Sequence, residues 1–437
     1  MRKKKAVLFV ADGLGGRPTD LDGETCLEAA YTPHLDELAS KGINGLLHSV
    51  KRGVRPGSDT AHLSLFGYDP EEVYSGRGVF EASGAGMEVQ KTDVCFRTNF
   101  ATVADTMEVV DRRAGRITEG QEELEEALQD LGAEEDVEVE FKATTQHRGA
   151  LILRGDGLSP RVSDTDPHEG GHINIRHVSP YNPSKSPEPL GPEVGKEVKK
   201  SEPLEDSDAA KRTAEIVNRV SERAHEILRD HPINEERRED KEKLPANALL
   251  LRGASTKPEV EDFGEKYGLE GVGIAAGALY LGVAKEVGLD IRSPEWATGN
   301  MGSDFLGKTK LVVDELGDND FVFVHIKAPD NAAHDHDAEK KVECIEMIDE
   351  AVGYLLQNLD WNKTHMVFTG DHSTPVSLGN HSAEPVPILY YGPEVRKDSV
   401  EEIGERTSAR GDLGHINGRE VLSVLFNYND WMKKFGS

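Results

Sequence analysis

Residues 321–337, FVFVHIKAPDNAAHDHD, join a short apolar run directly to a loop rich in aspartate and histidine. A continuous apolar run of about six residues is typical of a central strand in a parallel sheet, which is buried on both faces. Comparable runs occur at residues 6–11, 365–369 and 386–391. The sequence pattern therefore predicts several buried strands, and one of them is followed by a cluster of polar side chains.

Helical patterns alternate with these runs. Residues 33–41 begin with a proline and place Leu35, Leu38 and Ala39 on one face, and residues 338–356 repeat apolar side chains at helical spacing. Strands that alternate with helices indicate an α/β fold with parallel strands. We therefore predict a doubly wound, mostly parallel sheet that is assembled from both ends of the chain.

The middle of the chain has a different pattern. Residues 86–103 and 137–154 show the two-residue alternation of strands. A Glu-rich helix is expected at 121–131, an amphipathic helix at 207–230 and an Ala/Gly-rich helix at 272–287. The other expected elements are a proline-rich loop or insertion at 181–205 and a strand at 247–251. This mixture indicates a smaller α+β domain. We predict that residues 1–75 and 293–437 form the main domain and that residues 76–292 form the inserted domain.

Composition limits the class of function. The 437 residues carry 80 Asp and Glu against 51 Lys and Arg, a formal net charge of −29. A surface of this sign repels phosphate backbones, so nucleic acid is not an expected partner. Adaptation to salt and adaptation to heat are both compatible with this excess of acidic residues.

Cysteine usage and hydropathy bear on the compartment. Cys26, Cys95 and Cys344 lie far apart, which indicates neither a disulfide framework nor a thiolate metal site. The basic start is followed by an apolar run too short for a signal peptide, and no run approaches the length of a membrane span. We expect a soluble, cytoplasmic protein without a membrane partner, and the sequence leaves both a monomer and a homo-oligomer open.

Acidic side chains follow three of the strand-like runs at the point where each run ends. Asp12 follows the first run, Asp330 the quoted run and Asp371 the run at 365–369. In open α/β sheets ligands bind outside the carboxyl ends of the strands, so we expect these acids to converge. For any single Asp the alternative is a helix N-cap, which the same position also favours.

Three histidines accompany these acids. His334 lies four residues beyond Asp330, on the same face if a helix starts there, His372 adjoins Asp371, and His381 follows. Three carboxylates with three imidazoles suit two divalent ions such as Mn²⁺, Zn²⁺ or Mg²⁺, and such pairs serve phosphoryl transfer. The remaining polar residues of the loop are assigned to the first turn of the next helix, where acids suit the helix dipole: Asp335, His336 and Asp337.

Ser58 is the candidate nucleophile for such a site. It stands in RPGSDTAHL, residues 55–63, where Pro-Gly supplies a tight turn and a helix would begin at the serine. Free amides at a helix start favour an anionic oxygen and a phosphate, and a bound metal would lower the hydroxyl pKa. The alternative is that Ser58 only caps the helix.

Taken in order, these motifs resemble those of the alkaline phosphatase superfamily and, more closely, of cofactor-independent phosphoglycerate mutase of the archaeal type. The motifs are VADG at 10–13, PGSDTAH at 56–62, PDNAAH at 329–334, TGDH at 369–372 and HSAEPVP at 381–387. The segments GRGVFEA at 76–82, DRRAGR at 111–116 and DTDPH at 164–168 extend the likeness through the middle of the chain.

The resemblance implies a two-metal isomerase of glycolysis and gluconeogenesis. One metal site would be formed by Asp330, His334 and His381 and the other by Asp12, Ser58, Asp371 and His372. The ions would be Mn²⁺, Zn²⁺, Co²⁺ or Mg²⁺. Ser58 would take the phosphoryl group from 3-phosphoglycerate as a phosphoserine, and the retained glycerate would accept it on its other hydroxyl. The family needs no bisphosphoglycerate.

A mutase must also grip the glycerate carboxylate, for which forked Arg contacts are suited. DRRAGR is a local positive exception in an acidic chain, and Asp166 with His168 could hold hydroxyls or carry a proton. The alternatives are an ion-paired surface loop for the arginines and a structural turn for Asp166. The candidate substrate-binding set is Arg112, Arg113, Arg116, Asp166, His168, Arg252 and Lys308, with Arg148 and Arg176 as weaker candidates.

The chain departs from the bacterial branch of the family. Residues 56–59 are PGSD where that branch has Gly-Asn-Ser-Glu, and the inserted domain does not match motif for motif, so the bacterial substrate-binding residues are not transferred. His62, His325 and His415 are expected to be structural. Two other functions are alternatives, a metal-dependent phosphomonoesterase or another phosphosugar mutase of the superfamily, and a non-catalytic acidic metal-binding or scaffolding protein.

Overall fold

The structure is a computed structural model that describes residues 4–132, 136–167, 196–240 and 243–436. The chain forms two compact units, residues 1–73 with 260–437 and residues 74–259. The strands are β1 (Lys5–Ala11), β2 (Ile43–His48), β3 (Val94–Val103), β4 (Val109–Asp111), β5 (Glu138–Ala143), β6 (Arg148–Arg154), β7 (Ala248–Ser255), β8 (Gly271–Ile274), β9 (Asp290–Arg292), β10 (Phe321–Ile326), β11 (Thr364–Thr369), β12 (Val386–Tyr391) and β13 (Gly414–Asn417). The α-helices are α1 (Cys26–Ala29), α2 (Pro33–Lys41), α3 (Ser58–Leu65), α4 (Pro70–Val73), α5 (Gly78–Gly84), α6 (Gln121–Ala127), α7 (Asp208–Arg229), α8 (Pro232–Glu239), α9 (Phe263–Tyr267), α10 (Ala278–Glu286), α11 (Phe305–Glu315), α12 (Ala328–His334), α13 (Ala338–Asn358), α14 (Glu405–Ser408) and α15 (Val421–Tyr428).

The first unit is organised around one sheet with the strand order β13-β2-β12-β11-β1-β10-β8-β9. β12 runs antiparallel to both of its neighbours, and the other pairs in this order are parallel. Near the middle, Phe9 of β1 is paired with Val324 of β10 and with Phe368 of β11. The predicted mostly parallel sheet is confirmed.

Helices cover both faces of this sheet. On one face Phe9 and Val324 belong to a core that includes buried side chains of α2, α11 and α13. On the other face the ring of Phe323 packs at 5.0 Å from that of Phe66, and Phe321 packs at 5.7 Å from Phe426 of α15. Because successive strand residues point to opposite faces, a two-sided core requires a continuously apolar strand. This is the doubly wound arrangement that the sequence predicts.

The substitution Phe323→Ala should destabilise the first unit by about 3–5 kcal/mol, because loss of a buried ring leaves a cavity. Phe323 is fully buried against the rings of Phe66 and His62. Urea denaturation measures the change. Phe435→Ala is the control, since that ring is fully exposed and its loss should cost less than about 0.5 kcal/mol. Equal unfolding midpoints for the two variants would contradict a core on this face.

The second unit is built on an antiparallel sheet. β3 pairs with β6 along one edge and with β7 along the other, β5 extends the sheet beyond β6, and β4 pairs with the end of β3. α7 packs on this sheet through a core that includes Ile216, Val217 and Val220. The unit is therefore α+β, as predicted.

The division between the units differs from the predicted boundary at residue 292. Residues 272–287, predicted as one helix, form β8 and α10, and β8 pairs in parallel with β10 of the first unit. Gly277 breaks the two elements apart, with a φ of +92° that favours glycine. A strand of four residues among Ala and Gly resembles the start of a small-residue helix, which explains the error. The second unit ends at Glu259 and begins at Tyr74.

Three further expectations concern the surface and the linkers. No helix among the described residues is both long and apolar enough to cross a membrane. Cys26, Cys95 and Cys344 are buried, and the described residues contain no disulfide bond. Most of the loop predicted at 181–205 lies outside the described residues.

Candidate active site

The candidate site lies at the carboxyl edge of the first unit's sheet. β1 lies between β10 and β11, so the residues that follow these strands are brought together. Asp12 follows β1, Asp330 lies in α12 after β10, and Asp371 follows β11. All three carboxylates are fully buried. The convergence expected from the strand ends is present.

One group of potential metal ligands consists of Asp330, His334 and His381, whose ligand atoms all lie within 4.8 Å of one another. Asp330 and His334 lie on one face of α12, since Nε2 of His334 is 3.3 Å from Oδ2 of Asp330. The Nδ1 atoms of His334 and His381 lie 2.9 Å from the carbonyls of Gly379 and Pro56 respectively. A carbonyl accepts only from Nδ1–H, so Nε2 of each ring has its lone pair free for a metal ion.

A second group is formed around His372. Its Nε2 lies 3.5 Å from Oδ1 of Asp12 and 3.2 Å from Oδ2 of Asp371. Oγ of Ser58 lies 3.2 Å from the same Nε2. The ligand atoms of Asp12, Asp330 and His372 also lie within 4.8 Å of one another, so Asp330 links the two groups.

The chemistry of this donor set fits divalent cations. Oδ1 of Asp12 and Oδ2 of Asp371 are buried without a hydrogen-bond partner among the described residues. Burying ionised oxygens without partners is costly unless a cation compensates them. In the protein alone, burial and the charge of Asp12 raise the pKa of Asp371 well above its usual range. Carboxylate oxygens with imidazole nitrogens are suitable ligands for Mn²⁺, Zn²⁺, Co²⁺ or Mg²⁺.

Ser58 is the first residue of α3, and Gly57 occupies the N-cap position. The serine is therefore not the cap of this helix, which was the alternative considered from sequence. Its side chain is buried and directed towards His372. The free amides of the first helical turn are suited to an anion bound at this oxygen.

Lys327 was missed in the sequence, although it stands in the quoted stretch directly after β10. Its Nζ lies 3.1 Å from Oδ2 of Asp12 and donates a hydrogen bond to Oδ2 of Asp330. Burial alone would lower its pKa, but the two carboxylates raise the pKa of Lys327 well above its usual range. A lysine that follows a strand is usually exposed to solvent, so the sequence alone gives no reason to place Lys327 in the site. Its position between Asp12 and Asp330 is visible only in the folded structure.

His62 and His325 were expected to be structural, and the structure places both beside the candidate ligands. Nε2 of His325 lies 3.1 Å from Oδ2 of Asp12, and Nδ1 of His62 lies 2.7 Å from the carbonyl of Ser58. Burial lowers the pKa of His62 to about 3, so this ring is neutral. His62, His325 and Asp371 also form a third group with ligand atoms within 4.8 Å of one another. His415, by contrast, stacks on His48 in another part of the unit.

The residues that follow His334 in the 321–337 stretch contact segments that lie next to the candidate ligands. Asp337 is the N-cap of α13 and accepts from the amide of Lys340, whereas Asp335 is the C-cap of α12 and does not belong to the helix turn predicted for it. Nδ1 of His336 lies 2.7 Å from the carbonyl of Val376. His336 therefore holds the segment whose Gly379 carbonyl orients His334.

Comparisons with known proteins show the family of the chain. Sequence profiles described as 2,3-bisphosphoglycerate-independent phosphoglycerate mutase and as type I phosphodiesterase / nucleotide pyrophosphatase match residues 39–234 and 214–385. The chain is 44% identical to 2,3-bisphosphoglycerate-independent phosphoglycerate mutase 1 of Methanocaldococcus jannaschii over 100% of both chains, and 45% identical to the mutase of Methanopyrus kandleri over 100% of this chain and 99% of that one. The chain belongs to the 2,3-bisphosphoglycerate-independent phosphoglycerate mutase family. The resemblance seen in the motifs is thus confirmed.

Solved structures extend the likeness of this mutase-family chain to the fold. A protein from Pyrococcus horikoshii is 36% identical with a TM-score of 0.81, and the match covers 100% of both chains. A cofactor-independent phosphoglycerate mutase from Thermoplasma acidophilum is 34% identical with a TM-score of 0.66, covering 98% of this chain and 100% of that one.

In the second unit, several of the predicted substrate-binding residues gather around Asp166. This buried carboxylate accepts from Nε of Arg112 at 2.9 Å and lies 4.0 Å from Nη1 of Arg252. Arg113 and Arg116 lie in the turn that comes directly after Arg112. Burial and the charge of Arg116 lower the pKa of Arg113. Burial likewise lowers the pKa of Arg252 to about 10.

Sequence reasoning missed a second buried acid in this unit. Glu81 accepts from Nε of Arg77 at 2.7 Å and lies 3.6 Å from Nη1 of Arg97. The motif GRGVFEA contains Arg77 and Glu81, so the signal was present without an assigned role. Arg148 begins β6.

The other candidates have different surroundings. Lys308 is fully buried in α11 of the first unit and donates to the carbonyl of His325 at 3.0 Å. Burial lowers the pKa of Lys308 to about 8. His168 and Arg176 lie outside the described residues.

Proposed function

We propose that this chain interconverts 3-phosphoglycerate and 2-phosphoglycerate without bisphosphoglycerate, through a phosphoserine at Ser58. The observation that carries the proposal is the Ser58 hydroxyl at the start of α3, 3.2 Å from Nε2 of His372 and beside buried carboxylates, in a member of this mutase family. A scaffolding protein would have no use for a buried serine hydroxyl in such surroundings.

Two groups of side chains would hold the metal ions. Asp330, His334 and His381 would hold one ion, and Asp12, Ser58, Asp371 and His372 the other. When bound, the ions supply concentrated positive charge that lowers the pKa of the Ser58 hydroxyl and offsets the charge of the phosphoryl group. The choice among Mn²⁺, Zn²⁺, Co²⁺ and Mg²⁺ is to be made by loading the metal-free protein with each.

In the proposed reaction the phosphoryl group is transferred twice. Oγ of Ser58 loses its proton and forms a bond to phosphorus as the bond from phosphorus to the 3-oxygen of the glycerate breaks, and that oxygen takes up a proton in turn. The free glycerate then presents its 2-hydroxyl, whose oxygen takes the phosphoryl group as the serine regains its proton. The amides of the first turn of α3, where Ser58 lies, are suited to stabilise the transferred negative charge.

The intermediate glycerate has to remain bound between these transfers. We propose that the arginine forks of the second unit grip its carboxylate, with Arg112 and Arg252 oriented by Asp166. Arg113, Arg116, His168 and Lys308 stay in the proposed set. Their individual roles would be separated by the dependence of KM and of phosphate release on each substitution.

The proposal is tested with the metal-loaded protein, 3-phosphoglycerate and no bisphosphoglycerate. Formation of 2-phosphoglycerate is followed through enolase, and inorganic phosphate is measured in parallel. We expect 2-phosphoglycerate to account for nearly all the substrate consumed, because the glycerate stays in place and the phosphoserine is shielded. Phosphate without 2-phosphoglycerate would overturn the proposal in favour of a metal-dependent phosphomonoesterase; neither product would overturn both.

The remaining proposals concern the surroundings of the enzyme. We propose a cytoplasmic enzyme that acts on small-molecule phosphoglycerate, with neither nucleic acid nor a membrane as a partner. The net charge of −29 supports the exclusion of nucleic acid. Light scattering coupled to size-exclusion chromatography distinguishes a monomer from a homo-oligomer.

A further inference from the structure

Lys341 is a fully buried lysine in α13 that the reaction described above does not use. Its Nζ donates hydrogen bonds to the carbonyls of Gly15 and Thr374, each at 2.9 Å. Within the described part of the chain, these two carbonyls are the acceptors of its ammonium. A charged ammonium is costly to bury without a carboxylate partner, and burial lowers the pKa of Lys341. Because burying this ammonium is costly, its two hydrogen bonds indicate a specific role for Lys341.

The two carbonyls belong to the two segments that carry the candidate ligands. Gly15 lies three residues after Asp12 in the segment that follows β1, and Thr374 lies in the segment that follows β11 and contains His372. The segments also contact one another directly, because the amide of Thr374 donates to the carbonyl of Gly15 at 3.0 Å. Lys341 thus closes a three-way contact between α13 and both segments.

Thr374 extends this contact to the ligands themselves. Its hydroxyl donates to Oδ1 of Asp330 at 2.7 Å and lies 3.1 Å from Nδ1 of His372. Since the hydroxyl hydrogen is used on Asp330, the hydroxyl oxygen accepts from Nδ1–H of His372. The Nε2 lone pair of that histidine is then directed at Asp12 and Asp371.

We propose that Lys341 is a positioning residue for the metal centre, and that its buried ammonium sets the spacing between Asp330 at one ion site and Asp12 and His372 at the other. The inference rests on the proposed two-metal function. Lys341 touches neither substrate nor ion; it acts through Gly15 and Thr374. Groups that orient metal ligands in this way typically contribute about 10–100-fold to metal affinity.

The test is the affinity for Mn²⁺ of the full-length Lys341→Met variant, measured by calorimetry on metal-free protein. Methionine keeps the length and apolar stem and removes the charge. We expect about 10-fold to 100-fold weaker Mn²⁺ binding, with kcat largely restored at saturating Mn²⁺. Lys341→Arg, which retains a cation, should recover part of the affinity. An unchanged Mn²⁺ affinity in Lys341→Met would overturn the inference.

Lys5→Met is the matched control. Lys5 is also buried and donates to a backbone carbonyl, that of Asn319 at 2.6 Å, but at the opposite edge of the same sheet. The Lys5→Met variant should have a lower thermal midpoint and an unchanged affinity for Mn²⁺. If the loss of any buried lysine weakened Mn²⁺ binding, both variants would bind the ion less tightly, and that result would overturn the inference.

A second variant keeps the inference testable if Lys341→Met does not fold. Thr374→Val removes only the hydroxyl through which the contact reaches Asp330 and His372, and it too should weaken Mn²⁺ binding; unchanged affinity there would overturn the inference. The mutase assay of the wild-type protein separates the two proposals. Mn²⁺ binding that depends on Lys341 in a protein without mutase activity would sink the proposed function and support the positioning role. A wild-type protein that binds none of Mn²⁺, Zn²⁺, Co²⁺ and Mg²⁺ would overturn both.

Discussion

Replacing Ser58 with alanine should abolish mutase activity, with a loss of about 10⁴-fold or more, because the variant lacks the hydroxyl that is proposed to carry the phosphoryl group. Ser58 is the residue whose Oγ lies at the start of α3 and 3.2 Å from Nε2 of His372. The fold should survive, since serine and alanine differ by one atom. Activity is measured through enolase under saturating metal, so that a weakened metal site does not imitate the loss of the nucleophile.

A direct readout accompanies the kinetics. Wild-type protein quenched in acid during turnover should carry a phosphoryl group on the peptide that contains Ser58, and Ser58→Ala should carry none. Ser64→Ala is the control on the same helix, because Ser64 is equally buried but its Oγ has no hydrogen-bond partner among the described residues. It should retain activity within about two-fold. Activity that survives in Ser58→Ala would exclude the phosphoserine route while leaving the metal groups standing.

Much of the first unit could be predicted because its chemistry follows local rules. Apolar runs identify buried strands, and in a parallel sheet the residues after neighbouring strands must meet at one edge. Asp12, Asp330 and Asp371 were found for this reason, and His334 because four residues span one turn of a helix. The family motifs then supplied the proposed division of these residues between two ions, which spacing alone could not supply.

What the sequence missed depends on partners that are distant in the chain. Lys327 and Lys341 look like ordinary surface lysines, and only the packed structure shows one between Asp12 and Asp330 and the other beneath Gly15 and Thr374. Four-residue β8 was missed because it gains its strand conformation by pairing with β10, not from its own composition. Burial of a cation depends on tertiary packing, so it cannot be predicted from the pattern of neighbouring residues in the sequence.

Asp330→Asn should be the most damaging change to the metal centre, because Asp330 is the one acid among the described residues that belongs to both groups built around His334 and His372. Asparagine keeps the shape but loses the charge and one oxygen acceptor. Since bound metal is worth several kcal/mol and each ~1.4 kcal/mol is tenfold, activity should fall about 10³-fold. Elemental analysis after dialysis should show fewer ions per chain than in the wild-type protein.

The control has to separate metal binding from the general cost of altering a buried acid. Asp349 provides it, because this buried carboxylate accepts from the amides of His34 and Leu35 and thereby secures the start of α2, away from the candidate ligands. Asp349→Asn should lower the unfolding midpoint but keep the wild-type metal content and most of the activity. If Asp330→Asn kept both ions and its activity, the proposed role of Asp330 as a metal ligand would fail. If both variants lost metal equally, the loss would reflect disturbed packing of the first unit and not a missing ligand.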